Sequence, residues 1–508
     1  MAVKVTTVGL KGMEGYRVTV EVQLLDGPES IVIVGLPDAS VKEAKERITA
    51  ALHSYKCGEL EEKVIINLSP AEQKKNGPMF DLPMAIALMK SLHFIDANID
   101  ENTGFIGSLS LDGGIKPVEG MLPAILAAKK LGLTKMYLPY DEKLPPIDFT
   151  NLELVYVSSL QEVIDSLHGQ HVLPFHQPEK TPVNLERVHT VAFEQIIGQE
   201  EAKRALEIAA AGGHHLFMSG PPGCGKSMLA ESFASILPDL TSEEQLEVLS
   251  LYHLSGVSYE GGLARPFRSP HHSASSVSII GGGQYPKPGE ISLAHHGVLF
   301  LDEMAEFQKK TLDMLRQPIE TGHVTISRAN ATVNYPALFS MIGAMNPCPC
   351  GYLGSNNFYC TCTPKQVKAY QNRLSGPIRD RFDIFLFLQT VNFNTHHKQR
   401  ETSQQVQRRV VQARNRQYKR YGCTMLNSRV SFDTLQRTSP LQYSQQQLLR
   451  HLSSKNQLSN RAQVKILRLA RTISDLAGSE TITDQSIWEA VQLNIHANSG
   501  KPVQHISK

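Results

Sequence analysis

The stretch His214 to Ser227, HHLFMSGPPGCGKS, constrains this chain more than any other. Within it, Gly220-Pro221-Pro222-Gly223-Cys224-Gly225-Lys226-Ser227 has the spacing G-x-x-x-x-G-K-[ST]. That spacing has meaning when a strand leads into it and a helix leads out. Both flanks fit. Leu216, Phe217 and Met218 read as a buried strand, and Met228-Leu229-Ala230 with Phe233 to Leu237 read as the apolar side of a helix. Glycines let backbone N–H groups curl around phosphate oxygens without Cβ clashes, and the positive helix end adds to the field. Lys226 would then reach the outer phosphates of ATP, and Ser227 would hold Mg2+.

Two further strands carry polar ends. Gly297 to Leu301 runs into Asp302 and Glu303. Asp302 would bind the Mg2+ water shell beside Ser227, and Glu303 would orient and deprotonate a water for attack on the γ-phosphate. Ser340 to Met345 ends in Asn346, whose amide can hydrogen-bond the same water or the γ-phosphate. Upstream, Ile197 to Leu206 opens the domain as a helix, with Gly198 near its start and Ala202, Leu206 and Ala209–Ala211 packed near the nucleotide base. Pro238 to Ser292 is interrupted too often by Gly, Pro and Ser for one packed helix pair, so it reads as a loop-bearing insertion. Arg265, Arg268, His271 and His272 form its cationic stretch, and the expectation is that they grip phosphates in a pore.

At 508 residues the chain has room for about three domains. Its net charge of +2 announces no nucleic-acid partner, so any such site must be a local patch. Seven cysteines, four of them close together, do not resemble a secreted disulfide framework. The N-terminus has no unbroken apolar core of signal-peptide length, and no run of about 18 apolar residues occurs. A cytoplasmic protein with no membrane span is the expectation. Cys348 and Cys350 with Cys360 and Cys362 are two C-x-C pairs on one Gly- and Asn-rich loop. They can fold into a closed tetrahedral thiolate site for a structural zinc, although C-x-C is tighter than the usual ligand spacing. Four reduced thiols or a redox pair are the other readings. Cys57, Cys224 and Cys423 read as packing or loop residues.

In the first third, Tyr16 to Val34 reads as two strands joined by a turn. Val41, Ala44, Ile48, Ala51 and Leu52 repeat at helical spacing. Val64 to Leu68 is a strand, Phe80 to Leu92 a helix, Phe105 to Gly114 a second hairpin signal, Met121 to Leu131 a helix and Lys135 to Pro139 a strand. This alternation predicts one α/β domain ending near residue 167. At Gly77 to Pro83 and Ile115 to Leu122 it resembles the proteolytic domain of Lon, which implies a ribosomal-protein-like α/β fold. The resemblance does not imply peptidase activity. Met79 stands where it places the nucleophilic serine and Leu122 where it places the lysine base, and neither side chain can do that chemistry. Lys116 lies nearby without a serine partner. Residues 168–190 read as a linker, and their four histidines fit no familiar ligand spacing.

Beyond the core, Lys398 to Arg420 is a basic amphipathic helix, with Arg408, Arg409, Arg414, Arg416, Lys419 and Arg420 against Val406, Val410 and Ala413. It is either a solvated lid helix or a phosphate-contacting face. Helices follow over Leu448 to Ala477 and Ile482 to Ala497.

The phosphate loop, Asp302-Glu303, Asn346, Ser375 to Asp383 and Ser459-Asn460-Arg461-Ala462 together resemble an AAA+ ATPase. Arg268 to Ser273, Pro288 to His295 and Arg316 to Glu320 resemble the magnesium-chelatase-like group, and specifically the YifB/ComM family. The resemblance implies an N-terminal Lon-like domain over 1–167, the linker, an AAA+ P-loop core with insertion and cysteine cluster over 191–395, and a helical lid over 396–508. It also implies a homo-oligomeric ring, hexameric in that family, with nucleotide between subunits. Arg381 matches the finger arginine, with Arg379 as second choice, and Arg461 matches the second sensor, with the C-terminal bundle capping the nucleotide. The implied activity is helicase-like branch migration on DNA in natural transformation. Two alternatives stand beside it: a magnesium-chelatase-type motor subunit, and a protein-remodelling ATPase or Lon-type protease. Chelatase motor subunits are expected to match only the ATPase part.

Overall fold

Alternating apolar residues build the first sheet. The computed structural model describes residues 2–55, 62–142, 144, 151–170, 191–283, 286–328, 331–355, 358–390 and 401–495. Cys57 and the linker from residue 171 onward lie outside these. The chain clusters into two units. One comprises Met1–Asn184 with Leu249–Tyr259 and Thr325–Asn334; the other comprises Leu185–Val248, Glu260–Val324 and Tyr335–Lys508.

The first unit begins with β1 (Val3–Lys11), β2 (Glu14–Leu25), β3 (Ser30–Val34), α1 (Ala39–Ser54), β4 (Lys63–Ser69) and α2 (Asp81–Ser91). It continues with β5 (Thr103–Phe105), β6 (Ser108–Leu109), β7 (Ile115–Lys116), α3 (Met121–Lys130), β8 (Lys135–Leu138), β9 (Glu153–Tyr156) and α4 (Leu160–Leu167). Seven strands form one sheet in the order β3-β4-β2-β1-β5-β8-β9. The two strands expected over Tyr16 to Val34 both form, but they are not neighbours: β4 lies between them, antiparallel to β2 and parallel to β3. The reason is α1, which gives β3 and β4 the crossover that a parallel pair requires. Val64, Ile66 and Leu68 of β4 are fully buried, as the inner position demands. Helix α2 is apolar nearly all round and buried. Asp81 at its start is fully buried and accepts from Arg47 Nε (2.7 Å), Arg47 Nη2 (2.9 Å), Ser108 Oγ and the Leu109 N–H. Met79 and Leu122 are both buried and apolar, while Lys116 is exposed.

The chain then forms α5 (Glu200–Gly212), β10 (Leu216–Ser219), α6 (Lys226–Ser235), α7 (Ser242–Ser255), β11 (Phe267–Arg268), α8 (Ser276–Ile280), β12 (Gly281–Gly282), β13 (Lys287–Pro288), α9 (Glu290–Leu293) and β14 (Val298–Leu301). Next come α10 (Lys309–Met314), α11 (Arg316–Thr321), β15 (His323–Arg328), β16 (Ala331–Pro336), β17 (Ser340–Met345), α12 (Pro364–Gln371), α13 (Gly376–Arg379) and β18 (Ile384–Phe387). The C-terminal helices are α14 (Ser403–Tyr421), α15 (Phe432–Thr438), α16 (Tyr443–Asn456), α17 (Asn460–Leu476) and α18 (Asp484–Ile495). Five parallel strands in the order β11-β14-β17-β10-β18 form the sheet of the second unit. The fold is thus mixed α/β with a parallel sheet and a helical C-terminal region.

Two expectations need correction here. Pro238 to Ser292 bears loops but more regular structure than its Gly, Pro and Ser suggest: it contains the 14-residue helix α7 and contributes β11 to the edge of the central sheet. Ser242 to Ser255 holds neither Gly nor Pro, and Glu243 and Glu244 favour its N-terminus. The basic side of α14 is also not a phosphate-contacting face. Arg414 Nη2 donates to Ala210 O (2.7 Å) and Gln417 Nε2 to Ala211 O (3.0 Å), satisfying end carbonyls of α5. Arg409 pairs with Glu207 and Glu401, Arg416 donates to Asp475 O, and Arg420 pairs with Asp475. Of the six cations, Arg408 and Lys419 are the exposed ones without such inward bonds. Helices α14, α17 and α18 share one hydrophobic cluster with α5, β10 and β18.

Candidate active site

The phosphate loop leaves the carboxyl end of β10, an inner strand between β17 and β18, and enters α6. Gly223 and Gly225 have φ of 74° and 92°, a region that only glycine adopts freely. Lys226 Nζ donates to Gly220 O (2.7 Å), Pro221 O (3.1 Å) and Asn346 Oδ1 (3.1 Å). Asn346 follows β17, which lies directly beside β10. Ser227 Oγ donates to Asp302 Oδ2 at 3.1 Å, and the Glu303 N–H to Asp302 Oδ1 at 2.8 Å. Two oxygen donors so placed suit Mg2+, which takes hard oxygen ligands and keeps several waters. The sheet therefore gathers Gly220 to Ser227, Asp302, Glu303 and Asn346 at one edge. Cys224 is buried inside the loop, and burial raises its thiol.

Two neighbours of this set were not read from the sequence in these roles. Gln199 adopts a left-handed conformation (φ 56°) just before α5, and its Nε2 donates to Gln389 O (2.7 Å) and to Cys224 O (3.3 Å) in the phosphate loop. A polar residue beside Gly198 was the available signal. His272 Nδ1 lies 3.4 Å from Glu303 Oε2. Glu303 itself has a positive φ of 48°.

Arg265 and Arg268 do not form a free cationic loop. Arg265 has a side chain 7% exposed; it pairs with Glu244 (2.9 Å) and donates to Pro238 O and His296 O. Arg268 is bidentate to Glu290 at 2.6 and 2.7 Å. Their positive charge is spent inside the fold.

The expected finger and sensor arginines lie elsewhere. The Asp383 N–H bonds to His215 O, where β10 begins, whereas the phosphate loop starts beyond Ser219, where β10 ends. A four-residue strand separates these edges by about 13 Å. Arg381 sits at the amino edge, 11% exposed, with Nη2 2.5 Å from Glu320 Oε1 and Nη1 3.7 Å from Asp380 Oδ2. Arg461, 70% exposed, reaches the same Asp380 Oδ2 at 3.5 Å, and Lys465 lies 3.6 Å from its Oδ1. With Arg429 and Arg468 these cations line a cavity of about 530 Å3 that also holds Glu320, Asp380 and Asp383. Arg379 is not in that lining. Its Nε is buried with no hydrogen-bond partner among the described residues, and burial lowers its guanidinium from the usual value. Arg381 and Arg461 are therefore brought together with each other, and not with the phosphate loop of their own chain.

The cysteine loop begins two residues past Asn346. Cys348, Cys350 and Cys360 place their Sγ atoms 3.3, 3.7 and 3.6 Å apart, and the Cys362 Sγ lies within 4.8 Å of all three. Tetrahedral zinc with sulfur ligands at its usual bond length sets sulfurs about 3.8 Å apart, so the donor set fits that ion. The Tyr352 N–H lowers the Cys350 thiol to about 6, and burial raises that of Cys348. Gly351, at φ 84°, brings this loop onto the phosphate loop: a Cβ there would lie 2.7 Å from Pro222 Cδ.

A phosphate cradle, an acidic pair and a polar sensor on a parallel sheet, followed by a helical region, define an AAA+ ATPase of the magnesium-chelatase-like class. Residues 192–396 match the family model described as magnesium chelatase, subunit ChlI, and residues 400–494 match its C-terminal counterpart. The chain belongs to the YifB/ComM family within that class. It is 39% identical over 94% of its length to competence protein ComM of Haemophilus influenzae, covering 95% of that protein. It is 41% identical to a protein named YifB of Escherichia coli, covering 94% of each chain. A magnesium-chelatase 67 kDa subunit of Chlorobaculum parvum is 30% identical over 163 residues, 31% of this chain and 23% of that one. Residues 20–142 match a model described as subunit ChlI of Mg-chelatase. That match runs against the expectation that chelatase subunits resemble only the ATPase part. Among the described residues, no helix is long and apolar enough to cross a membrane.

Proposed function

We propose that this chain is an ATP-driven, ring-forming DNA motor of the cytoplasm. It works on single-stranded or branched DNA by helicase-like branch migration, in support of recombination during natural transformation. The observation that carries the reading is the placement of cradle and arginines at opposite edges of one parallel sheet. Each site is completed by a second copy: one chain supplies Gly220 to Ser227, Asp302, Glu303 and Asn346, and its neighbour supplies Arg381 and Arg461. Arg381 is the first choice for the finger and Arg379 the second. The second sensor then acts across the interface, not as a cap on its own nucleotide. Lys226 and the loop N–H groups hold the phosphates of ATP, Ser227 and Asp302 hold Mg2+, and Glu303 takes the proton of the attacking water while Asn346 positions it. Mg2+ would supply charge neutralisation at the phosphates. Six copies is the ring size we favour.

The DNA assignment draws support from the full-length likeness to a competence protein. We read residues 1–167 as a Lon-like domain without the catalytic serine and lysine, 168–190 as the linker, 191–395 as the ATPase core and 396–508 as the lid. A structural zinc belongs in the four-cysteine loop.

Mixing two inactive variants tests the composite site. Lys226→Ala lacks a cradle and Arg381→Ala lacks the finger, so each alone should lose ~10³-fold or more in hydrolysis. Their mixture should regain a measurable fraction, because some interfaces pair an intact cradle with an intact arginine. No recovery would show that arginine and cradle act within one chain. ATPase rate with and without single-stranded and four-way DNA, with Asp302→Asn as control, tests the substrate. The chelatase reading predicts no response to DNA, and a protease reading predicts casein digestion.

A further inference from the structure

We infer that Phe358 and Tyr359, on the four-cysteine loop, form a docking surface for the next copy of the chain, and that metal loading controls assembly through it. The inference rests on the composite-site and zinc readings above.

The loop is rooted on the cradle. It departs from Asn346, Gln371 Nε2 donates to Pro347 O at 3.1 Å, and Gly351 lies against Pro222. Two of its described residues stand clear of the fold. Tyr359 is 91% exposed and Phe358 60% exposed. The Phe358 ring packs on Tyr352 with centroids 4.8 Å apart. A scattered exposed tyrosine means little. These rings are different, because they flank a potential metal crosslink: Cys360 follows Tyr359 directly, and its sulfur meets Cys348 and Cys350. An aromatic pair fixed before contact loses little entropy on binding.

The occupant follows from position and charge. A neighbour's arginines must arrive at the edge where this loop stands, so a subunit that completes the cradle also meets its rim. From Cys348 to Cys362 the sequence is CPCGYLGSNNFYCTC, with no Lys, Arg, Asp or Glu. A nucleic-acid surface needs cations for phosphate, and this loop has none. Aromatic residues without charge are the composition of the centre of a protein–protein interface. The partner is a second copy of this chain.

The test uses the full-length protein and a double variant, Phe358→Ser with Tyr359→Ser. Bound zinc is counted by elemental analysis, and assembly is followed by sedimentation velocity over a range of protein concentrations with a non-hydrolysable ATP analogue. The variant is expected to keep the zinc content and nucleotide affinity of the wild type. Its assembly midpoint should move to at least tenfold higher concentration. Cys350→Ser with Cys362→Ser should lose zinc and show the same shift. A wild-type protein without zinc overturns the metal reading alone. A midpoint within twofold of wild type in the aromatic variant overturns the docking inference, and so does normal assembly with DNA stimulation selectively lost.

Discussion

At the residue scale, Lys226 already joins the phosphate loop to Asn346, so the cradle and its sensor are coupled by one ammonium. Glu303 has no comparable structural duty among the described residues; its carboxylate meets His272, and the role proposed for it is chemical. Glu303→Gln is therefore expected to bind nucleotide as the parent does while kcat falls by ~10²–10⁴, measured by fluorescent-nucleotide titration beside steady-state turnover. Equal losses in binding and turnover would show that Glu303 holds the loop. Arg265→Ala should instead destabilise the fold by about 1–3 kcal/mol, the cost of losing a charged hydrogen-bond donor while Glu244 keeps only His296 and the Thr241 N–H among the described residues, read as a shift in denaturation midpoint. The contrast explains which residues were legible. Lys226, Ser227, Asp302, Glu303 and Asn346 sit at strand ends where chemistry dictates the residue type. Arg265 and Arg268 looked free because their partners Glu244 and Glu290 are 21 and 22 positions away, and pairing at that distance is set by tertiary packing.

At the scale of elements, β17 is held at its start by two imidazoles, His295 buried and His215 half-buried. The Met341 N–H donates to His215 Nδ1 (2.9 Å) and the Leu338 N–H to His295 Nδ1 (3.0 Å), so both rings must offer a lone pair and stay neutral. The other nitrogen of His295 faces Glu247 at 3.1 Å. Burial lowers both histidines from 6.5 to about 4. Between those values the unfolded chain binds more protons than the folded one. Stability from these groups is thus complete above pH 6.5 and falls toward pH 4, by ~1.4 kcal/mol per pH unit for each histidine. Urea midpoints at pH 7.5 and 5.5 should show this decline, and His215→Asn with His295→Asn, which cannot be protonated, should flatten it. Helix α14 gives a second expectation. Arg414→Ala removes the donor from Ala210 O and should lower stability by about 2–3 kcal/mol, since a hydrogen bond from a charged group is lost in the interior. Periodicity revealed most elements but hid α7, because Gly and Pro on both sides of it dominated a window read as a whole. It also hid the insertion of β4 between β2 and β3, because pairing order is not a local property.

At the scale of the whole molecule, the chain reads as one family across nearly its entire length, and the sequence motifs found that family. They could not tell on which side of the sheet Arg461 would lie, since that depends on how α17 meets the turn at Asp380 to Phe382 that precedes β18. On the composite site proposed above, the parallel sheet, with its cradle at one margin and its arginines at the other, makes each copy directional. Two such molecules related by a dyad would bring like margins together and leave both catalytic halves idle. Head-to-tail stacking is the productive geometry. On the proposed composite site, an open row wastes one cradle at its end, whereas a closed circle wastes none, and a member lacking both groups harms two adjacent junctions in different ways: it cannot burn fuel at one and cannot ignite its neighbour's at the other.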